Sequence, residues 1–214
     1  LDCIGVDIGS VGAIFVTHEH SDHVSGVRVL AGKHKIPVYS SAGTLEAMAD
    51  SGILSGKFPA EVIAQQGVEV NGMYIRPFHT PHDSRESLGY TIEMADGNRI
   101  AIATDMGCIT DEVMNSIACS NLVLLESNHD VRMLQNNPVY PYMLKRRILS
   151  DKGHLSNEVC AKTARALVES GTTRLILGHL SKENNMPELA YQTTSAALSQ
   201  SGMQEGSDYI MRVA

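Results

Sequence analysis

Thr17-His18-Glu19-His20-Ser21-Asp22-His23 follows directly on the apolar run Ala13-Ile14-Phe15-Val16. An apolar run that continues from Ala13 to Thr17 reads as a buried strand. The seven-residue stretch is then the turn that leaves this strand and enters a helix. Three histidines and an aspartate fall within six positions. Imidazole nitrogen and carboxylate oxygen suit zinc or manganese, and a tight loop lets several of them converge on one point. His18 and His20, two positions apart, can share one ion. Asp22 and His23 can reach a second ion nearby. Ligand type alone does not separate zinc from manganese.

Outward from this turn, short apolar strands alternate with amphipathic helices, so the fold class is α/β. Strands are predicted at Ile36 to Ser40, Glu61 to Ala64, Val68 to Val70, Met73 to Phe78, Tyr90 to Met94, Arg99 to Thr104, Asn121 to Glu126, Arg174 to Gly178 and Tyr209 to Val213. Asn71-Gly72 and Asp96-Gly97 mark hairpin turns. Helices are predicted at Val24 to Lys33, Thr44 to Ser51 (closed by Gly52), Asp111 to Ala118, Tyr142 to Leu149, Asn157 to Ser170 and Pro187 to Gln200. Neither a repeat nor a low-complexity linker interrupts the 214 residues, which read as a single domain, 1–214.

Composition narrows the class of function. A net charge of −7 argues against sequence-blind nucleic-acid binding through a broad basic face, while leaving room for a local basic strip. Aromatic residues are 5% of the chain and tryptophan is absent, which argues against an array of stacked bases. Cys3, Cys108, Cys119 and Cys160 form no C-x-x-C pair, so reduced thiols and a cytoplasmic location are expected. With no membrane-length apolar run, a soluble protein is expected.

Ligand sites in such sheets gather at strand ends, and three further candidates lie there. His82 follows the strand ending at Phe78, Asp105 follows Thr104, and His179 follows Gly178. Asp105 is the natural bridge, because one carboxylate can give an oxygen to each of two ions. His79 competes with His82; His82 is preferred, with His79 in a supporting or core role.

The motif Thr17 to His23 resembles the signature of the metallo-β-lactamase superfamily. Pro81-His82-Asp83, Ala103-Thr104-Asp105-Met106-Gly107, Leu125-Glu126-Ser127-Asn128-His129-Asp130, Gly153-His154-Leu155-Ser156-Asn157 and Leu177 to Asn185 resemble the YycJ/WalJ-type hydrolases, close to ribonuclease Z. The resemblance implies an αββα sandwich, two mixed sheets with helices on the outer faces. It implies two divalent metal ions, zinc or manganese, one held by His18, His20 and His82, the other by Asp22, His23 and His179, with Asp105 bridging. A metal-bridging hydroxide, oriented by Asp22, would be the nucleophile, and His154, supported by Glu126, would protonate the leaving group. The family's N-terminal strand hairpin, with its Gly-Ser-rich turn and Asp-Ala-Gly segment, has no counterpart here. The N-terminal strands are therefore expected to be missing or that sheet edge to be built differently, with Asp7-Ile8-Gly9 a loop.

A pair of ions acidifies a bridging water and clamps phosphoryl oxygens. An alkoxide leaving group then needs an acid, and imidazole titrates near neutrality. Thioesters and β-lactams have less need of one, so His154 and Glu126 favour phosphodiesters. Lys145, Arg146 and Arg147 precede Lys152 and His154, and arginine forks match phosphate oxygens. Arg146, Arg147, Lys182 and Asn184 are accordingly candidate substrate contacts, although a solvated helix face and a loop-fixing Asn184-Asn185 fit the same residues. The resulting expectation is a phosphodiesterase; the resemblance implies a DNA exonuclease, acting on DNA from the 5′ end. A small-molecule hydrolase acting on a cyclic phosphodiester, thioester or lactone is the alternative, and a non-catalytic metal-stabilised domain the third.

Overall fold

Successive residues of a strand face opposite ways, and this parity sorts the apolar side chains into layers. The computed structural model describes residues 2–54 and 56–214. In β1 (Ile14–Phe15), Ile14 packs with Val16, Val38 and Met48 on one side, whereas Phe15 joins Tyr39, Ile75 and Tyr90 on the other. β1 pairs with β2 (Val38–Ser40), and β2 with β3 (Ala60–Val62), both in parallel. The larger sheet runs β10 (Ile210–Val213), β9 (Arg174–Gly178), β8 (Leu122–Glu126), β7 (Arg99–Ala103), β6 (Leu88–Met94), β5 (Met73–His79), β4 (Val68–Val70). Mixed order was expected in both sheets. It is found in the larger, while the two pairings of the smaller run parallel.

Three apolar clusters correspond to the three interfaces of a four-layer α/β/β/α sandwich. The first lies between the small sheet and its helices α1 (Ser21–Val24), α2 (Val27–His34) and α3 (Ala42–Asp50). The second lies between the sheets, where Phe15 stacks on Tyr39 at 5.4 Å and meets Tyr90 edge-on at 5.6 Å. The third buries β7 to β10 under α4 (Asp111–Ile117), α7 (Asn157–Glu169) and α8 (Pro187–Gln200), with Leu125, Leu167 and Leu177 fully inaccessible. Two shorter helices, α5 (Val131–Asn136) and α6 (Tyr142–Ile148), form an arm between β8 and α7.

The helices begin where capping chemistry permits. Ser41, Thr110, Asp130 and Ser156 each accept a hydrogen bond from the backbone N–H three residues on, opening α3, α4, α5 and α7. α5 was not anticipated from the sequence, although Asp130 is an ordinary N-cap. The helix predicted from Val24 is broken at Ser25-Gly26, giving α1 and α2. Asp7-Ile8-Gly9, expected as a loop, opens a single 3-10 turn at Ile8–Ser10, in which Asp7 accepts from the Gly9 N–H.

Strand direction is what positions the site. β6 is antiparallel to both β5 and β7, and β7, β8 and β9 run parallel. The carboxyl ends of β5, β7, β8 and β9 therefore share one edge of the sheet. Leu177 sits in β9, next to the end of that strand. Replacing it with Ala should cost about 2–5 kcal/mol of stability, read as a lower midpoint in urea denaturation; an unchanged midpoint would contradict the core described.

Candidate metal centre

Four strand ends deliver one side chain each to the shared edge: His82 beyond β5, Asp105 beyond β7, Glu126 at the end of β8 and His179 beyond β9. The His18–His23 turn arrives from the other sheet. It is fixed there because the Val16 carbonyl accepts from the Tyr90 and Ser40 hydroxyls and the Thr17 carbonyl from the Leu88 N–H. The first strand of the small sheet is thus tied to β6 of the large one.

Asp105 lies at the centre. It is 1% exposed, and its Oδ1 faces Nε2 of His179 at 3.4 Å, His23 at 3.6 Å, and His18 and His82 at 4.0 Å each. His18 Nε2 and His82 Nε2 approach His20 Nδ1 at 3.0 and 3.3 Å. Potential ligand atoms of His18, His20 and His82 all lie within 4.8 Å of one another, as do those of Asp22, His23 and His179. Asp22 is the exposed member, on the first turn of α1, with Oδ2 3.6 Å from His23 Nε2. Every residue put forward from the sequence as a ligand reaches this cluster.

Far-side hydrogen bonds to acceptor-only oxygens set the tautomers of His82 and His179, and Thr17 backs His18 and His23. The Gly153 carbonyl, an acceptor only, takes the Nδ1–H of His82 at 3.1 Å. Thr17 Oγ1 lies 3.1 Å from His18 Nδ1 and 3.2 Å from His23 Nδ1, so one hydroxyl oxygen can accept from both rings. Glu126 Oε1 takes the Nδ1–H of His179 at 2.8 Å and of His154 at 2.7 Å, while its Oε2 accepts from the Met106 and Leu155 N–H groups. Ligating histidines are held in this way, through the ring nitrogen that does not touch the ion.

Charge agrees with geometry. Burial, reinforced by the imidazoles of His23, His82, His20 and His179, drops His18 to about 2, so its ring is neutral and its lone pair available. Burial also lowers His82. Burial would raise Glu126, but the bonds from His154 and His179 hold it down at about 2. His179 moves the other way: burial opposes its charge, yet the Glu126 bond and then Asp105 lift it to about 9. Asp105 is the carboxylate left uncompensated: its Oδ1 faces a ring of imidazole nitrogens, and its Oδ2 is buried with no hydrogen-bond partner at all, which calls for positive charge. The donor set therefore fits divalent cations.

Beside the cluster opens a cleft of about 290 Å³, lined by Asp83, Asn128, Tyr140, Arg147, His154 and His179 among others. Arg147 is the one proposed substrate contact that borders it, paired there with Asp83, whose carboxyl the bond from Arg147 holds below its usual range. Arg146 and Lys182 point to solvent and do not line the cleft. Asn184 is 1% exposed and spends its amide on Ser181 and Asn137, so it fixes the loop and offers nothing to a substrate. His79, assigned a supporting or core role, is half-exposed and bonded to Glu112, beside Glu86 and a separate cavity of about 310 Å³. Glu126, a residue that could have been a surface carboxylate, is 0% exposed. Thr17 and Gly153 escaped notice because a hydroxyl and a carbonyl carry no ligand signature.

A two-sheet sandwich with such a cluster at its edge defines a class of metal-dependent hydrolase, and comparison with known proteins agrees. Residues 5–180 match the family described as beta-lactamase superfamily domain. The chain is 37% identical over 205 residues to Exodeoxyribonuclease YycJ of Bacillus anthracis, spanning 94% of this chain and 76% of that protein. It is 38% identical over 201 residues to Exodeoxyribonuclease WalJ of Streptococcus pneumoniae, spanning 92% and 74%. The metallo-beta-lactamase fold protein YhfI from Bacillus subtilis shares the fold, with a TM-score of 0.68 at 15% identity over 98% of this chain and 77% of that one. The chain belongs to the metallo-β-lactamase superfamily, among the relatives of these exodeoxyribonucleases. Among the described residues no helix is long and apolar enough to cross a membrane.

Thr17→Val keeps the shape of the turn and removes the oxygen that both His18 and His23 face. Metal affinity should fall about 10–100-fold, measured by competition with a chromogenic chelator; wild-type affinity in this variant would remove Thr17 from the site.

Proposed function

We propose that the chain is a DNA exonuclease, a phosphodiesterase in which His18, His20 and His82, Asp22, His23 and His179, together with Asp105, would hold two divalent ions. When bound, such a pair supplies an acidified water and a clamp on the phosphoryl oxygens. The rest is the work of the chain. Asp22, exposed at the mouth, orients the attacking water. Glu126 is an acceptor only, so His154 presents Nδ1–H to it and aims Nε2 at the cleft. From Nε2 the imidazolium delivers its proton to the departing sugar oxygen, and Glu126 stabilises the charged ring until it does. Arg147, at the rim, meets a phosphate oxygen through its fork.

One observation carries this reading: Glu126 Oε1 bonds both His154 and His179. An acid rigidly registered to a ligand histidine is what an alkoxide leaving group requires, and a thioester has no such need. The names of the two relatives, both exodeoxyribonucleases, support DNA over other phosphodiesters. A small cleft favours the second reading, hydrolysis of a small phosphodiester, thioester or lactone.

Metal analysis followed by assays with Mn²⁺ and Zn²⁺ on end-labelled DNA, with bis-p-nitrophenyl phosphate in parallel, separates the two. Exonucleolytic products that vanish in His20→Ala are expected. His154→Ala should keep its metals while kcat on DNA falls about 10²–10⁴-fold. Hydrolysis of the small ester with DNA left intact would favour the second reading, and full activity of His154→Ala would remove the proposed acid.

A further inference from the structure

Charge is spread unevenly along this acidic chain. Residues 131–154 carry five basic side chains (Arg132, Lys145, Arg146, Arg147 and Lys152) and one acidic, Asp151, while the remainder carries 12 basic against 23 acidic. This segment is the arm of α5 and α6 that ends at His154, and its Arg147 lines the cleft.

α6 has two faces. Leu144, Arg147 and Ile148 line the cleft. Tyr142 and Met143 face solvent at 71% and 70% exposure, Leu149 at 42%, and Val139 just ahead of the helix at 80%. Arg146 lies over the Tyr142 ring, 5.9 Å from its centroid. Arg147 is engaged by Asp83 and Lys145 by the Gln135 carbonyl, which leaves Arg146 as the cation beside the exposed ring.

We infer that this outer face of α6 binds single-stranded DNA, taking the strand that continues out of the cleft, with Tyr142 as a stacking surface for a base and Arg146 on a phosphate. The inference rests on the nuclease reading above. Every base has a π-face, so stacking on one tyrosine holds a strand without reading its sequence. A duplex keeps its base faces in the stack and would meet these apolar side chains only with sugar and phosphate. The face is continuous with the cleft, and its charge is opposite to that of the strand and of the rest of the protein. A single stacking position also agrees with the low aromatic content, which excludes an extended array.

The test compares wild type, Tyr142→Ala, Tyr142→Phe and Arg146→Ala, using anisotropy of a fluorescein-labelled oligothymidine in EDTA, then hydrolysis of the same oligomer with metal. Tyr142→Ala should weaken oligomer binding roughly fivefold or more and raise KM in step, with Tyr142→Phe restoring both. Its turnover of bis-p-nitrophenyl phosphate, too short to reach α6, should match wild type. Arg146→Ala should lower the slope of log K against log salt by about 1. Wild-type oligomer affinity in Tyr142→Ala overturns the proposal. So does a wild-type dimer on gel filtration that Tyr142→Ala splits into monomers, since a second copy would then cover this face. If wild type cleaves DNA but the substitutions change nothing, this inference alone fails. If wild type hydrolyses only the small ester, the nuclease reading fails and takes this inference with it.

Discussion

Two carboxylates buried side by side, Asp105 and Glu126, govern the architecture of the site. They end neighbouring parallel strands, are 1% and 0% exposed, and each would be costly without a partner. Glu126 finds its partners within the protein, in two imidazole N–H groups and two backbone N–H groups. Asp105 does not: one oxygen faces a ring of imidazole nitrogens and the other has no hydrogen-bond partner. Glu126 is therefore a structural anchor, whereas the surroundings of Asp105 suit a cation. His179 touches both, which couples whatever happens at the ligand cluster to the orientation of His154.

Holding those groups in register strains the backbone locally. Asp105 and His179 adopt left-handed φ values of +59° and +56° immediately after their strands. Such conformations persist where the surroundings over-determine them. Here the Met106 N–H is tied to Glu126 and the His179 carbonyl to the Asn128 side chain. A close backbone approach does similar work at Gly153, where an added Cβ would lie 2.1 Å from the Ile148 carbonyl oxygen. Only glycine lets the chain pass there with its own carbonyl turned to His82.

Legibility followed locality. His18, His20, Asp22 and His23 could be read because they crowd one turn, and His82, Asp105 and His179 because apolar strands stop just before them. The α/β class and most elements could be read from periodicity. What the sequence hid was contact between distant segments: Gly153 meets His82 across 71 positions, and Glu126 meets His179 across 53. Asn184 as a substrate contact fails for the same reason, since residue type says nothing of whether an amide is already spent. α5 was missed because six residues without an apolar stripe give no period to detect.

The arm of α5 and α6 supplies what the two sheets do not. The His/Asp cluster comes wholly from the sandwich, and His154 sits where the arm rejoins it, just ahead of α7. Cleft wall, positive charge and exposed aromatic surface come instead from a segment outside both sheets. It meets the centre through Gly153, His154 and the Asp83–Arg147 pair. The division follows from physics: the cluster needs rigid strand ends, whereas the cleft wall is built by a segment that lies outside both sheets.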